Sequence, residues 1–304
     1  MKKVLLATTA LALSAGVAYA EVSVSGNARM GLQYNSGNTS ATKGDTTLEK
    51  RMTVTFSGSV ETTSGMTLGA TMNLRAGEGM AAVGSGARVS LATGGIELAV
   101  GNTYGAIDSM PGVYGASAGL TGLGWGGVVA NTAATGSFGW DSYSSSGNGV
   151  EGVEVIYSAG AVTAHLSHSD VSLGSDYGTT ATATTRTAAY VSYAMGDWTV
   201  AAGMQDSDDN DEDKTIVTVG GKVGDFGVGI GYADNGGETK LALNGSATFG
   251  ATTVSVYVAD EETATDNPMG LGVSHDLGGA SLVGGIARTA AGANRADLGV
   301  SFKF

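Results

Sequence analysis

Residues 115–119 read GASAG and match the G-x-S-x-G elbow of serine hydrolases, with Ser117 as the candidate nucleophile. Such a nucleophile needs a strand–turn–helix context and a histidine–acid pair that activates it. This segment lies instead in a loop rich in Gly, Ala and Ser. The three histidines, His165, His168 and His275, fall on or beside predicted strands. We therefore predict no catalytic residues and disfavour a secreted hydrolase.

The acidic stretch DSDDNDEDK, residues 206–214, is a second candidate because closely spaced carboxylates can bind calcium. It lacks the central Gly and the correctly spaced terminal Glu of an EF-hand loop. We interpret it as a solvated loop that attracts divalent cations weakly. The chain has no Cys and only three scattered His residues, so we predict no metal site and no cofactor.

Other charged residues offer electrostatic rather than covalent chemistry. Alternating segments in the N-terminal third carry arginines at their polar positions: Arg29, Arg51, Arg75 and Arg88. A long loop downstream carries Asp108 and Asp141, and Glu97 lies on the segment leading into it. Arginines that face loop carboxylates across a narrow aqueous space create a transverse field that sorts passing ions. The alternative is that these arginines are solvated charges with local partners.

The elements that must position these charges are segments of period-two alternation. In the first one, EVSVSGNARMGLQYN, every second residue from Val22 to Tyr34 is apolar except Gly26. About sixteen such segments occur, each close to the 9–11 residues that a tilted strand needs to cross a bilayer. They lie near residues 21–35, 49–61, 65–77, 87–92, 96–101, 150–158, 161–167, 185–195, 198–205, 214–223, 226–233, 239–248, 253–259, 268–277, 281–288 and 296–304.

The connections between these segments alternate between short turns and long polar stretches. TTSG, TGG, SAG and MGD are short, whereas NSGNTSATKGD and SDVSLGSDYGTTATA are long. A soluble β-sandwich would also alternate in polarity but has no reason to sort its loops by length. The pattern therefore predicts an all-β fold, a transmembrane antiparallel β-barrel of about sixteen strands.

One connection, residues 102–149, is far longer than the others and is rich in aromatic residues: Tyr104, Tyr114, Trp125, Phe138, Trp140 and Tyr143. A loop of this length in a compact domain is usually functional or disordered, and its aromatic content argues against disorder. We predict that this third long loop folds into the lumen and constricts it. The alternative is a surface loop that packs on neighbouring loops or subunits.

One rim of the predicted barrel is marked by aromatic residues and by the chain end. Four aromatic residues lie at the short-turn end of their strands on the apolar parity, as an interfacial girdle requires: Trp198, Phe226, Phe249 and Phe304. An open sheet edge is not tolerated in hydrocarbon, so the last strand must pair with the first. We predict that Glu21 and Lys303, or the terminal charges themselves, pair at this seam beside Phe304.

The N-terminal segment, residues 1–20, has two lysines, an apolar stretch and an A-x-A-like site, which predicts a cleaved secretory signal. Residues 21–304 would then form a single pore domain. Loss of Lys2 and Lys3 changes the formal charge from −13 to −15, so charge alone favours no nucleic-acid partner.

Several stretches resemble the general porins of Rhodobacter and its relatives. EVSVSGNARMGLQYNSG is similar to their opening strand, and VSHDLGGASLVGGIA and ADLGVSFKF are similar to their last strands. FGATTVSVYVAD, KRMTVTFSGSVETTSGMTLGA and AVGNTYGAIDS extend the resemblance over the whole mature chain. It implies a homotrimer of sixteen-stranded barrels, each with a pore narrowed by its third loop.

The same resemblance implies a basic cluster on the wall opposite acids on the loop. Arg29 and Arg51 match the wall arginines by position, and Asp108 matches a loop acid. The loop here is richer in Gly and poorer in carboxylates than that pattern, which leaves calcium binding and the preferred ion open.

We therefore predict an outer-membrane porin of a Gram-negative bacterium, embedded in lipid and lipopolysaccharide. It would let small hydrophilic solutes and ions diffuse passively, without catalysis. About sixteen strands leave an aqueous channel, and the lumen parity is mostly polar or Gly. The alternative is a structural or adhesive barrel whose lumen is blocked by the long loop.

Overall fold

The computed structural model of the chain describes residues 20–77, 80–132, 138–147, 149, 151–173 and 184–304. The predicted signal segment therefore lies outside the described residues, apart from Ala20. The strands are β1 Ala20–Asn35, β2 Thr46–Glu61, β3 Thr67–Gly77, β4 Met80–Gly84, β5 Arg88–Thr93, β6 Ile96–Asn102, β7 Glu151–Ala159, β8 Val162–Ser169, β9 Arg186–Met195, β10 Trp198–Ser207, β11 Lys214–Val223, β12 Phe226–Asn235, β13 Glu238–Phe249, β14 Thr252–Glu261, β15 Met269–Asp276, β16 Ser281–Arg288 and β17 Asn294–Lys303. One short helix, α1, spans Ala106–Ser109, and 3-10 turns span Leu123–Gly127, Val171–Leu173 and Asn210–Glu212.

The sheet closes on itself, which confirms the predicted barrel. Antiparallel neighbours follow chain order around the ring, and β17 pairs with β1 from Asn27 opposite Lys303 to Asn35 opposite Arg295. The seam ends in two backbone hydrogen bonds, from Gly26 N to Phe304 O at 2.7 Å and from Phe304 N to Gly26 O at 2.9 Å. Closure leaves no open edge within the membrane.

Strands β4 and β5 share one position in the ring, because both pair with β3. The labelled strands therefore occupy sixteen positions. The sequence analysis missed β4, since MAAVG carries no polar residue that would reveal alternation. The position is interrupted at residues 85–87, where Ser85 bridges to Gly147 of the long loop.

Apolar and polar side chains lie on opposite faces of the strands, as the alternation requires. Large apolar side chains on the outer face are exposed, among them Met30 at 63%, Met204 at 60% and Leu298 at 58%. Such a band is suited to contact with hydrocarbon. None of the helices in the described ranges is long and apolar enough to cross a membrane.

The inner face of β9–β14 is unusual for a lumen, because it carries small apolar residues. We call these the alanine row: Ala188, Ala201, Ala233, Ala242 and Ala259. They are buried beneath apolar residues of the long loop, including Ile107, Met110, Val113 and Val129. The barrel therefore contains a hydrophobic core between its wall and an inserted loop, and the prediction that the loop folds inward is confirmed. The surface-loop alternative is wrong.

Candidate functional site in the barrel lumen

The start of the long loop is fixed by a buried charged cluster centred on Glu154 of β7. Its carboxylate accepts hydrogen bonds from Arg88 Nε at 2.7 Å and from the backbone N–H groups of Tyr104 at 3.0 Å and Gly105 at 3.2 Å. His165 Nε2 lies 3.0 Å from the same carboxylate. The cluster holds the point where the chain leaves β6 and turns into the lumen.

The outgoing arm follows the inner wall. The N–H of Ala106 donates to Ser167 Oγ at 2.9 Å, and α1 packs against β8, β9 and β10. Thr218 Oγ1 on β11 donates to Pro111 O at 2.6 Å. Ser255 Oγ on β14 then donates to Ser117 O. The arm thus runs around about half of the ring.

The tip of the loop reaches the seam between β17 and β1. Asp297 on β17 accepts hydrogen bonds from Leu120 N at 2.8 Å, Thr121 N at 2.6 Å and Thr121 Oγ1 at 2.7 Å. From β1, Arg29 donates to Leu120 O at 2.7 Å. Gly31 and Gly299 face each other here, and a Cβ on either would collide with Leu120. The wall is shaped to receive the tip.

The return arm is anchored to the wall by polar side chains, and each bond satisfies a loop group that packing would otherwise leave buried and unpaired. Its carbonyl groups accept hydrogen bonds from Asn235 at Val129 O (3.2 Å), Lys240 at Asn131 O (2.5 Å) and Gln205 at Gly139 O (2.7 Å). Lys240 also pairs with Glu261 at 3.0 Å, and Asn102 exchanges two hydrogen bonds with Ser144.

The wall that the loop leaves uncovered carries three of the predicted arginines, which we call the arginine wall: Arg29, Arg51 and Arg75. Arg29 lies directly opposite Arg51, and Arg75 lies opposite Thr53, one inward position further along β2. Neighbouring inward side chains on adjacent strands lie within about 8 Å of each other. These three arginines therefore lie close together on adjacent strands; their role in a constriction stays a prediction.

Within the arginine wall the charges differ in how they are neutralised. Arg29 pairs with Glu49, whereas Arg75 Nε donates to the neutral Thr53 hydroxyl at 3.2 Å. Arg51 Nε is buried and has no hydrogen-bond partner among the described residues. Arg29 and Arg51 line a lumen cavity of about 1120 Å³, and residues 115–117, 119 and 120 of the loop line the same cavity.

The other predicted constriction residues do not face the arginine wall. Arg88 is buried and forms ion pairs with Glu154 at 2.7 Å and Glu97 at 2.8 Å. Its guanidinium also lies 3.9 Å from the ring centroid of Tyr104. Arg88 therefore supports the start of the loop, because it is the nearest partner for the buried Glu154 carboxylate.

The two loop acids also have other partners. Asp108 accepts hydrogen bonds from Tyr114 Oη and, at 2.9 Å, from Trp140 Nε1. Asp141 lies 3.2 Å from Arg186 of β9. The expectation that both carboxylates oppose the wall arginines is wrong in this structure, since nearer donors within the loop and on β9 engage them.

Burial sets the ionisation of these acids. It raises the pKa of the Asp108 carboxyl above its ordinary value, although the hydrogen bonds from Tyr114 and Trp140 oppose the shift. It also raises the pKa of Asp141, against the opposing effect of Arg186. Both groups therefore protonate at a higher pH than solvent-exposed aspartates.

Comparison with known proteins identifies this architecture. A family profile described as Gram-negative porin matches residues 7–294. The chain belongs to the Gram-negative porin family. A porin of Fuscovulum blasticum is 30% identical over 304 residues, covering 93% of this chain and 100% of the relative. A porin of Rhodobacter capsulatus is 32% identical over 319 residues, with the same coverage of both chains.

Solved structures agree with this assignment. A triple mutant of the Rhodopseudomonas blastica porin superposes with a TM-score of 0.81 at 27% identity, covering 93% of this chain and 100% of the other. A second mutant of that porin gives 0.82 at 25% identity with the same coverage. The protein is therefore an outer-membrane porin channel of a Gram-negative bacterium, as predicted, and the occluded adhesive barrel is not favoured.

The rim residues of this porin lie where the alternation places them. Trp198, Phe226 and Phe249 border the short turns at residues 196–197, 224–225 and 250–251, and Phe304 ends the chain at the same rim. All four side chains are exposed on the outer face. Their contribution to a membrane-interface girdle stays a prediction.

The predicted pairing of Glu21 with Lys303 is wrong in this structure. Lys303 lies opposite Asn27, and Glu21 lies opposite Ser59 on β2. The separation of six positions between Glu21 and Asn27 corresponds to about 20 Å of strand. The parity was correct, but the register at the seam displaces the two charges along the strand.

The hydrolase motif has no catalytic surroundings in this porin. His165 pairs with Glu154, His168 Nδ1 with Thr187 Oγ1 at 2.8 Å, and His275 Nδ1 with Thr252 Oγ1 at 2.8 Å. None of the three pairs with Ser117. Within the described ranges, no group of three or more His, Cys, Asp or Glu residues is arranged to hold a metal ion.

Sequence reasoning missed the residues that hold the loop, chiefly Asp297, Glu154 and Lys240. Each is a charged residue at a lumen position, which the alternation permits without indicating a partner. The alanine row offered a clearer signal, because repeated Ala at lumen positions of β9–β14 is apolar where a water-filled channel needs polar residues.

Proposed function

We propose that small hydrophilic solutes cross this porin between the arginine wall and the loop stretch at residues 115–120, and that the wall favours anions. The observation that carries the proposal is the uneven pairing of charges. In the described parts of the chain, neither Arg51 nor Arg75 forms an ion pair. Ion pairs do form at five other cationic residues: Arg29, Arg88, Arg186, Arg288 and Lys240. Two positive charges therefore remain uncompensated beside the passage.

The loop side of the passage supports this sign. Residues 115–120 read Gly-Ala-Ser-Ala-Gly-Leu and carry no charge. Asp108 and Asp141, which would offset the arginines, are engaged elsewhere. A unit charge at about 8 Å in water changes the energy of a passing ion by roughly 0.5 kcal/mol, and with opposite sign for anions and cations. Removal of one guanidinium should therefore alter the anion-to-cation permeability ratio about fivefold at low salt.

The experiment is measurement of the reversal potential of single channels in a KCl gradient at low ionic strength. Arg51→Gln and Arg75→Gln should each shift the potential towards cation preference, and the double variant should shift it further. Arg288→Gln is the matched control, because Arg288 lies at the long-loop rim and pairs with Asp266. Unchanged potentials in the double variant would remove the arginine wall from ion selection, and the absence of stepwise conductance would revive the occluded barrel.

We also propose that the porin assembles as a homotrimer, as the resemblance to Rhodobacter porins implies. The mass of the complex in mild detergent, before and after heating, tests this proposal. A monomer-sized particle that retains its conductance would contradict it.

Weak cation binding by the outer acidic stretch, with bridging to lipopolysaccharide, remains a proposal from sequence. Four of its carboxylates already have protein partners: Glu212 pairs with Arg186, Asp213 accepts from Ser207 N, Asp209 accepts from Asp211 N, and Asp208 accepts from Thr185 N. The remaining acids would hold ions only loosely, so calcium removal should leave conductance unchanged.

A further inference from the structure

The long loop presents a cluster of aromatic rings, the aromatic shelf, that the ion pathway does not require: Tyr114, Trp125, Phe138 and Trp140. Trp125 lies at the centre, with ring centroids 4.5 Å from Phe138, 6.0 Å from Trp140 and 6.1 Å from Tyr114. Phe138 and Trp140 are 5.4 Å apart. The shelf joins the outgoing and return arms of the loop.

Asp108 fixes the shelf from beneath. Its carboxylate accepts hydrogen bonds from Tyr114 and Trp140, one residue on each arm. Two aromatic residues are thus held in defined orientations by one anchored side chain. Rings fixed in this way lose little further conformational freedom when a ligand stacks on them.

Part of the shelf is exposed. Trp140 is buried and accounts for the packing against the wall, but Phe138 is 50% exposed and Tyr114 is 40% exposed. Phe138 is also the one non-glycine residue with a positive φ in the described parts of the chain, at 63°. This conformation is unfavourable for a bulky residue and tends to persist where function requires it. Packing of the loop alone does not explain an exposed, strained phenylalanine.

The shelf and the arginine wall lie on opposite sides of the lumen. Lys214 of β11 approaches the Trp140 ring at 5.6 Å, and α1 packs on β8–β10. The arginine wall lies on β1–β3, about half of the sixteen ring positions away. A solute that reaches the shelf therefore meets flat apolar faces there and has uncompensated guanidinium groups on the far side of the ring.

We propose that the aromatic shelf is a transient binding site for planar aromatic carboxylates that pass through the pore. The aromatic ring of the solute stacks on Phe138 and Tyr114, and its carboxylate lies in the field of the arginine wall. Offset or edge-to-face contact between aromatic rings adds affinity beyond that of buried area alone. The inference rests on the proposed anion-favouring wall and adds a second requirement, planarity.

The test compares benzoate with cyclohexanecarboxylate in single-channel recordings. The two anions have the same charge and similar size, so their carboxylates interact alike with the arginine wall. Because guanidinium groups also stack on aromatic rings, the contribution of the shelf is the part of the difference that a shelf variant removes. We expect benzoate to produce current blockades that last about tenfold longer in the wild-type channel, a ratio that corresponds to about 1.4 kcal/mol. In Phe138→Asn this ratio should fall to about two; Asn tolerates the positive φ, so the loop backbone is preserved.

One variant controls for indirect effects. Tyr143→Leu removes an aromatic residue of the same loop that packs with Tyr104 outside the shelf, and should leave the ratio unchanged. Equal blockade times for the two anions in the wild-type channel, or an unchanged ratio in Phe138→Asn, would overturn the proposal. Neither result would bear on the reversal potential that tests the arginine wall.

Discussion

The attachment of the loop tip to Asp297 can be tested by replacing that single carboxylate. Asp297→Ala removes the acceptor of three hydrogen bonds from Leu120 and Thr121. Each bond to a charged acceptor contributes about 1.5–3 kcal/mol when its loss leaves a buried partner unsatisfied. Water in the lumen can replace part of this, so we expect a total loss of about 2–4 kcal/mol. Detachment of the tip should therefore become roughly thirtyfold to several hundredfold more frequent.

Single-channel recording is the appropriate assay, because a detached tip changes the width of the passage. The open-channel current of Asp297→Ala should show frequent transitions between levels. Asp276→Ala is the matched control, since Asp276 lines the lumen cavity that also contains Arg29 and Arg51, and among the described residues its carboxylate bonds only within its own turn, to Gly278 N at 2.8 Å. If the current of Asp297→Ala is as quiet as that of the control, Asp297 does not hold the tip.

Three further predictions concern the loop and the seam. Gly31→Ala should lower the yield of assembled, heat-resistant barrel, because a Cβ there would lie 2.4 Å from Leu298 O. Gly58→Ala is the control and should assemble normally, because the atom nearest to its added Cβ is 3.9 Å away. Glu154→Gln should lower the unfolding temperature on heated gels, because it removes the negative charge beside the buried Arg88. The loss of stability should be about 3 kcal/mol, reduced by the remaining ion pair of Arg88 with Glu97. Glu97→Gln should have a smaller effect. Burial in the docked loop raises the pKa of the Asp108 carboxyl. Above the unfolded-state pKa of this carboxyl, its ionised form therefore opposes docking of the loop. Docking strengthens as the pH falls through the raised pKa of the docked state. Transitions between current levels should therefore become rarer on acidification before exposed aspartates titrate, and Asp108→Asn should lack that step; identical pH profiles would refute this.

Alternation alone predicted most of the barrel. Lipid and water face opposite sides of each strand, so a residue such as Arg51 has its orientation fixed by parity, whatever its neighbours. The same rule explains why Phe304 could be placed at the closing seam. Strand β4 escaped because its five residues carry no polar marker, and Glu21 and Lys303 were misplaced because parity does not specify register along a seam.

The contents of the lumen were harder to predict, because the partners are far apart in sequence. Arg51 and Arg88 have the same parity, yet Arg51 forms no ion pair with a described residue, whereas Arg88 is neutralised by Glu154, 66 residues away. The path of the long loop decides between these outcomes. That path depends on contacts such as Leu120 with Asp297, 177 residues apart, which no local pattern encodes.

The alanine row has a consequence for attempts to enlarge the channel. Excision of the loop would uncover a lining of methyl groups along β9–β14, and water wets such a surface poorly. A truncated channel would then conduct through only one side of its cross-section. Its exposed apolar side would bind detergent tails or unfolded polypeptide. Engineers who seek a wider conduit would therefore have to make the five alanines hydrophilic in the same step.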